Sequence, residues 1–243
     1  MKYWAVPAVC AVAFAAVWAL DANIVLFRAL NSLGAPHALW ANITVLGDTV
    51  VAFALCLPLW RRRPDLLWAF VFVALLGTLW VHGLKPLFDI PRPPAVLPDV
   101  NVIGPAYRAN TFPSGHATTA FAIGGLYAVG LRFRTGYVIF LSAATVAALS
   151  RAVVGVHWPL DILAGAFGGW LAAVVSIRLA HKTLRFGTKD WVQWPIALFL
   201  AGCALWLVMG HEKSGYPQAD LLQRAIGICC LALAAARLKR AAA

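Results

Sequence analysis

The chain has 243 residues, of which 62% are hydrophobic and 12% are charged, and its formal net charge at pH 7 is +11. This composition excludes an ordinary soluble domain, in which about a quarter of the residues are charged. The basic excess does not indicate nucleic-acid binding either, because the lysines and arginines stand in short clusters between apolar segments. We therefore predict an integral membrane protein.

Apolar segments recur along the whole chain. A helix that crosses a bilayer needs about 20 mostly apolar residues. The segments that approach this length are 3–20, 43–60, 66–84, 117–131, 136–154, 159–180, 194–210 and 221–237. The sequence thus predicts an all-α, polytopic membrane helix bundle of about eight spans, forming one integral membrane domain over residues 1–243.

The basic residues predict the orientation of the spans, since cytoplasmic loops are enriched in lysine and arginine. With a cytoplasmic N-terminus, the cytoplasmic set is Lys2, Arg61, Arg62, Arg63, Arg132, Arg134, Arg178, Lys182, Arg185, Lys189, Arg237, Lys239 and Arg240. The smaller outer set is Arg28, Lys85, Arg92, Arg108, Arg151, Lys213 and Arg224. We expect both termini in the cytoplasm and the polar interruptions on the outer face, which is periplasmic in a bacterial inner membrane.

Two N-terminal segments each have two interpretations. Residues 1–20 are either a retained first span or a cleaved signal peptide, and the long apolar run favours a retained span. Residues 21–42 carry apolar side chains at helical spacing. They form either a helix on the outer membrane surface or a cap packed on the protein.

The connections also carry signals. Repeated prolines exclude regular helix from 86–112 and predict an outward loop, in which Tyr107 and Arg108 contact substrate or pack within the loop. Asp48 either caps a helix or lines a cavity. The connection 211–220 is predicted to be a solvated turn.

Two helix starts follow from local sequence. Ser114 suits the N-cap of the fourth span, so that Gly115 and His116 open this helix. Pro159 suits the first turn of the sixth span. His157 then stands just before that helix, and Asp161 lies in its first turn.

Several basic residues lie in the polar segments between the spans that are predicted to face outward. Cleavage of a phosphate ester requires neutralisation of its oxygens and a nucleophile in line with the leaving oxygen. Lys85, Arg92 and Arg151 supply positive charge, and arginine matches phosphate bidentately. Ser114 and the backbone N–H groups of Gly115 and His116 add donors at a helix N-terminus, which favours anions.

Two histidines are candidates for the nucleophile and for the group that transfers protons. His157 and Asp161 are four residues apart, so the carboxylate can hold one ring nitrogen protonated and leave the other free to attack. His116 then protonates the leaving oxygen and later activates water. Taken singly, each histidine is more often a cap or hydrogen-bond partner. The five cysteines all lie inside predicted spans, no metal-ligand spacing is present, and no disulfide, metal or cofactor is predicted.

Three motifs carry a resemblance to a known family. They are Lys85-x6-Arg92-Pro93, then Pro113-Ser114-Gly115-His116, then Ser150-Arg151-x5-His157-x3-Asp161. In order and content they resemble the tripartite signature of the type 2 phosphatidic acid phosphatase superfamily.

The resemblance implies a six-helix core and a metal-independent mechanism. In this family His157 would be the nucleophile, His116 the acid and base, and Asp161 the residue that orients His157. The phosphate-binding residues would be Lys85, Arg92, Ser114, Gly115 and Arg151. We assign the core to residues 1–190, and two additional transmembrane helices to 191–243.

The leading expectation is a membrane phosphatase whose partners are the bilayer and a lipid phosphate. The candidate substrates are an isoprenoid diphosphate, phosphatidylglycerol phosphate, phosphatidic acid and lipid A. Three alternatives remain: a lipid phosphotransferase, a vanadium haloperoxidase, against which the apolar spans argue, and a non-catalytic lipid transporter or binder. The sequence leaves the choice of lipid and the oligomeric state open.

Overall fold

A computed structural model describes residues 2–211 and 214–242. Within these ranges the regular structure is helical, without strands. The α-helices are α1 (Ala5–Ala19), α2 (Asn23–Asn31), α3 (His37–Thr44), α4 (Thr49–Ala54), α5 (Pro64–Leu84), α6 (Pro93–Val96), α7 (Gly115–Gly130), α8 (Arg134–Val153), α9 (Pro159–Lys182), α10 (Leu184–Gly187), α11 (Asp190–Met209) and α12 (Asp220–Ala242). The predicted all-α class is thus confirmed.

Several helices are long and apolar enough to cross a membrane. In the described ranges there are 5 such helices, or up to 7 if each of two bent pairs forms one span. The five are Pro64–Leu87, Arg134–Val153, Pro159–Lys182, Asp190–Met209 and Pro217–Leu238. Helix α7, at 16 residues, is shorter than the usual span, although it lies between α8 and α9 in the bundle.

The predicted span 43–60 is not one straight helix. The chain bends by 58° between His37–Gly47 and Thr49–Leu59. The Asp48 side chain causes the new start, because it accepts hydrogen bonds from the backbone N–H groups of Val50, at 2.8 Å, and Val51, at 3.2 Å. Of the two interpretations of Asp48, a helix cap or a cavity-lining residue, the structure supports the helix cap.

Helix α2 packs on the protein. Its Phe27 is buried against Trp158, with the ring centroids 5.1 Å apart. Buried Asn31 donates to the carbonyl oxygens of Asn101, at 2.8 Å, and Val153, at 3.0 Å. These contacts favour the cap interpretation of 21–42 over a helix that only rests on the membrane surface.

Helices α7 and α9 pack closely because small residues face α7. A Cβ added to Gly165 would lie 2.6 Å from the carbonyl oxygen of Ser114, and one on Gly169 would lie 2.2 Å from that of Thr118. Four-residue spacing of small residues permits this approach between membrane helices. It brings the N-termini of both helices together, so that the backbone N–H of Ser114 donates to the Asp161 carbonyl at 3.1 Å.

Residues 88–112 run mostly without regular structure, as the prolines predict. The exception is α6, a single turn that begins at Pro93 and Pro94. Prolines are tolerated there because the first turn of a helix lacks intrahelical partners for its N–H groups. The segment returns toward the N-terminus of α7, and its carbonyl groups face Arg92.

Candidate active site

His157 lies in the short connection 154–158 between α8 and α9 and is buried. The turn depends on Gly155, which has a φ of +83° and approaches the Asn101 carbonyl so closely that an added Cβ would lie 2.4 Å from its oxygen. The backbone N–H of His157 donates to the Arg151 carbonyl at 3.2 Å. The connection thus fixes the backbone of His157 relative to the end of α8.

Asp161 and Thr111 hold one side of the His157 ring. Nδ1 of His157 lies 3.3 Å from Oδ2 of Asp161 and 3.1 Å from Oγ1 of Thr111. The Thr111 hydroxyl donates to Asp161 Oδ2, which also accepts the backbone N–H of Trp158 at 2.8 Å. The carboxylate is therefore fixed by two donors, and the imidazole by two acceptors.

Arg92 meets the other side of the ring. Its Nη1 lies 3.2 Å from Nε2 of His157 and donates to the Val156 carbonyl at 3.1 Å. Nε of Arg92 donates to the Ala109 carbonyl at 2.9 Å. A guanidinium has donors but no acceptor, so Nε2 must be the acceptor in this contact. The proton of the neutral imidazole then stands on Nδ1, facing Asp161 and Thr111.

Electrostatics keep the ring neutral. Burial, reinforced by the charges of Arg92 and Arg151, holds the pKa of His157 well below that of an ordinary histidine. Burial and neighbouring Arg151 also lower the pKa of Arg92, to about 10, so that Arg92 remains protonated at neutral pH. At neutral pH the site thus combines an uncharged imidazole with a charged guanidinium.

Arg151, at the end of α8, is buried without a carboxylate partner among the described residues. Its Nη1 donates to two hydroxyl groups, Oγ1 of Thr44 at 2.7 Å and the hydroxyl of Tyr216 at 3.0 Å. Its Nε has no hydrogen-bond partner within the described part of the chain. An unpaired buried cation of this kind favours the binding of an anion.

Lys85, Gly115 and His116 line an adjoining cavity of about 220 Å³ between α4, α5 and α7. His116 opens α7 as predicted, and it lies against Gly47, where an added Cβ would come 2.8 Å from the His116 carbonyl oxygen. Ser114 caps the same helix, accepting the N–H of Ala117 at 3.4 Å. The other predicted start is also confirmed, since α9 begins at Pro159.

The structure thus brings the three motifs to one end of the bundle. Arg92 and Asp161 contact the two ring nitrogens of His157, at 3.2 Å and 3.3 Å. Arg151 is linked to His157 through its carbonyl, which accepts the backbone N–H of His157. Lys85 and His116 line the cavity that adjoins this cluster. With the cations Lys85, Arg92 and Arg151 beside one carboxylate, the site has an excess of positive charge suited to phosphate.

Three site contacts escaped the sequence interpretation. Thr111 precedes the second motif by two residues and had no distinguishing pattern. Thr44 lies in a predicted span. Tyr216 belongs to the connection 211–220, which was predicted to be a solvated turn. Of this connection Pro217 and Gln218 are exposed but His211 and Tyr216 are buried, and 212–213 lie outside the described residues. Thr111 reaches the site through the 88–112 segment, Thr44 through α3 and Tyr216 through the connection between the last two helices. No local pattern reveals this packing.

The loop residues Tyr107 and Arg108 have packing roles in the structure. The guanidinium carbon of Arg92 lies 5.2 Å from the centre of the Tyr107 ring. The backbone N–H of Arg92 donates to the Arg108 carbonyl at 2.9 Å. Both residues therefore help to place Arg92.

Comparisons with known proteins show the family of this chain. The family model of the PAP2 superfamily matches residues 66–185, which include all three motifs. The bacitracin transport permease protein BcrC of Bacillus licheniformis is 31% identical over 173 residues, 67% of this chain and 82% of that relative. This chain belongs to the PAP2 superfamily. The resemblance read from the motifs is thereby confirmed, and together with the apolar helices it identifies an integral membrane protein.

Two further similar proteins bear on activity. A lipid A 1-phosphatase of Rhizobium etli is 39% identical over 88 residues, 36% of this chain and 37% of that relative. The crystal structure of Aquifex aeolicus LpxE matches with a TM-score of 0.61 and 30% identity, covering 64% of this chain and 94% of that chain. The Rhizobium etli relative is thus, by its name, a phosphatase that acts on a lipid phosphate.

Proposed function

We propose that this protein is a metal-independent membrane phosphatase that hydrolyses a lipid phosphate or diphosphate through a phosphohistidine. The observation that carries the proposal is the orientation of His157. Its Nδ1 faces Asp161 and Thr111, while its Nε2 lone pair faces the guanidinium of Arg92. A nucleophile held by an orienting carboxylate beside a phosphate-binding cation is the arrangement required for covalent phosphoryl transfer.

In the first step, Nε2 of His157 attacks phosphorus as the bond from phosphorus to the lipid oxygen breaks. The incoming phosphate oxygens accept the hydrogens of Arg92 and Arg151, and Lys85 adds a third cation. Asp161 stabilises the positive charge that develops on the imidazole. His116, in the protonated state that the negative charge of the bound phosphate favours, donates a proton to the leaving oxygen, which departs as an alcohol, or as a monophosphate if the substrate is a diphosphate.

The start of α7 supplies further donors for the phosphate. The backbone N–H of Gly115 belongs to the first turn, where helix N–H groups lack intrahelical acceptors. Ser114 uses its oxygen to accept the N–H of Ala117, and its hydroxyl hydrogen remains available to an anion. Both residues are therefore assigned to phosphate binding.

In the second step, His116 takes a proton from water, which attacks phosphorus and breaks the bond to Nε2 of His157. Inorganic phosphate is released, and both histidines return to their starting states. The proton accounting closes, since His116 gives one proton to the lipid oxygen and recovers one from water. No step requires a metal.

The site is proposed to face the periplasm across a bacterial inner membrane. It lies at the end of the bundle opposite Arg63, which donates to the Gly130 carbonyl at 3.1 Å. That opposite end carries the basic connections predicted to be cytoplasmic. The substrate class is a membrane lipid bearing a phosphate or diphosphate: an isoprenoid diphosphate, phosphatidylglycerol phosphate, phosphatidic acid or lipid A.

The deciding experiment measures phosphate release by the purified full-length protein in detergent, with chelator present, from a panel of these four lipids. We expect release from at least one lipid and its loss in His157→Ala. His181→Ala is the matched control, because His181 is exposed near the end of α9 and far along the helix from Asp161. Activity that requires an added metal, or that survives in His157→Ala, would contradict the mechanism.

A second candidate function follows from the name of the Bacillus licheniformis relative, a transport permease. A transporter would move lipid or peptide between the leaflets of proteoliposomes, and His157→Ala would retain that movement. A phosphotransferase would instead convert a second lipid into its phosphate. Quantifying free phosphate, lipid products and leaflet distribution in one preparation separates the three activities.

A further inference from the structure

The connection between the last two helices reaches into the site. Tyr216 is 2% exposed and packs with Ile103, Val154 and Val156. Gly104, with a φ of +86°, lies so close that an added Cβ would come 2.6 Å from Cε1 of Tyr216. The Tyr216 ring is therefore enclosed by the segment before α7 and by the connection that carries His157.

The Tyr216 hydroxyl meets Arg151. It accepts a hydrogen bond from Nη1 at 3.0 Å, and Thr44 Oγ1 accepts from the same nitrogen at 2.7 Å. The ring centre of Tyr216 lies 6.0 Å from the guanidinium carbon of Arg151. Two separate elements, α3 and the 214–219 connection, thus fix one edge of this guanidinium.

Both groups that accept hydrogen bonds from Nη1 of Arg151 are uncharged hydroxyls. Hydroxyl groups orient a guanidinium without neutralising it, whereas a carboxylate would form an ion pair and compete with an anionic ligand. In the described residues Arg151 has no such ion pair, and its Nε remains unpartnered. The arrangement fixes the orientation of Arg151 while keeping its charge and remaining donors for another acceptor.

We propose that Tyr216 is a positioning residue for Arg151, so that the two C-terminal helices form part of the phosphate site and are more than an appended scaffold. This inference rests on the proposed function, in which Arg151 binds the substrate phosphate. Tyr216 acts only through Arg151 and does not contact the reacting atoms. Thr44, at the end of α3, has the same role.

The test compares Tyr216→Phe with Tyr127→Phe in the full-length protein. Each change removes one hydroxyl from a tyrosine that is not exposed; the Tyr127 hydroxyl bonds to the Leu55 carbonyl, away from the site. We expect Tyr216→Phe to weaken binding of inorganic phosphate and to lower kcat/KM by roughly tenfold, the effect of losing one hydrogen bond to a charged group. Tyr127→Phe should change neither.

A double-mutant cycle separates positioning from general stability. In an Arg151→Gln background, Tyr216→Phe should have no further effect on phosphate affinity, because the group that it positions is gone. Additive effects, or a Tyr216→Phe protein that binds phosphate as the wild type does, would overturn the inference while leaving the proposed function intact. A wild-type protein that neither binds nor releases phosphate would overturn the proposed function and this inference with it.

Discussion

Nη1 of Arg92 lies 3.2 Å from Nε2 of His157, and the guanidinium can only donate in that contact. The imidazole must therefore present a lone pair toward the cation and keep its proton on Nδ1. The same cation that is suited to binding phosphate also selects the tautomer suited to attacking it. In the proposed mechanism, these neighbours hold the ring ready to attack before the lipid binds.

This pairing predicts the acid side of the pH–rate profile. His157 must be neutral to attack, and burial together with Arg92 and Arg151 lowers its pKa, so activity should persist below the ordinary histidine pKa of about 6.5. Arg92→Gln removes one cation that opposes protonation, so the pKa rises and the acid limb of kcat/KM moves to higher pH. Its maximum also falls, because a phosphate ligand is lost. Arg28 is exposed on α2, and Arg28→Gln should leave the acid limb in place. An acid limb that stays in place or moves to lower pH in Arg92→Gln would refute this account.

Thr111 gives a second prediction. Its hydroxyl donates to Asp161 and lies 3.1 Å from Nδ1 of His157. Thr111→Val keeps the shape of the side chain but removes both contacts, and we expect kcat to fall roughly tenfold with little change in KM. Thr145→Val, which removes a hydroxyl bonded to the Leu141 carbonyl in α8, is the control. Unchanged kcat in Thr111→Val would show that Asp161 alone orients the ring.

The α7–α9 contact predicts a difference in stability between two glycine substitutions. Gly169→Ala places a Cβ 2.2 Å from the Thr118 carbonyl oxygen, so the helices must separate, at a cost of about 1–3 kcal/mol. Gly202→Ala in α11 has open space around it and should be neutral or stabilising. Thermal unfolding in detergent measures both. Equal melting temperatures for the two variants would contradict the close packing.

A substitution at Gly155 tests whether the connection 154–158 positions His157. Gly155→Ala forces a side chain into a left-handed conformation, at a cost of about 1–2 kcal/mol, and against the Asn101 carbonyl. The connection must shift, and His157 moves with it. We expect kcat/KM to fall much further than the change in melting temperature alone explains. A variant with a lower melting temperature but wild-type activity would show that the turn serves stability only.

Sequence patterns predicted the helical class, the proline-rich connection, the caps at Ser114 and Asp48, and the start of α9. These features depend on neighbours within a few residues, where propensity and capping decide the outcome. The bend at Asp48 was missed because the apolar run continues through it. The burial of His211 and Tyr216 was missed because polar composition alone does not show whether a connection packs against distant segments.

By itself, the sequence determined which chemical groups stand in which order: an excess of basic residues, two histidines and a carboxylate separated by apolar helices. Only the tertiary structure decided how they meet. The glycines of α9 let α7 approach, the 88–112 segment placed Arg92 and Thr111 on opposite sides of His157, and the last two helices brought Tyr216 to Arg151. These contacts join residues distant in the chain, so they depend on packing and burial, which act between whole elements and leave no local pattern in the sequence.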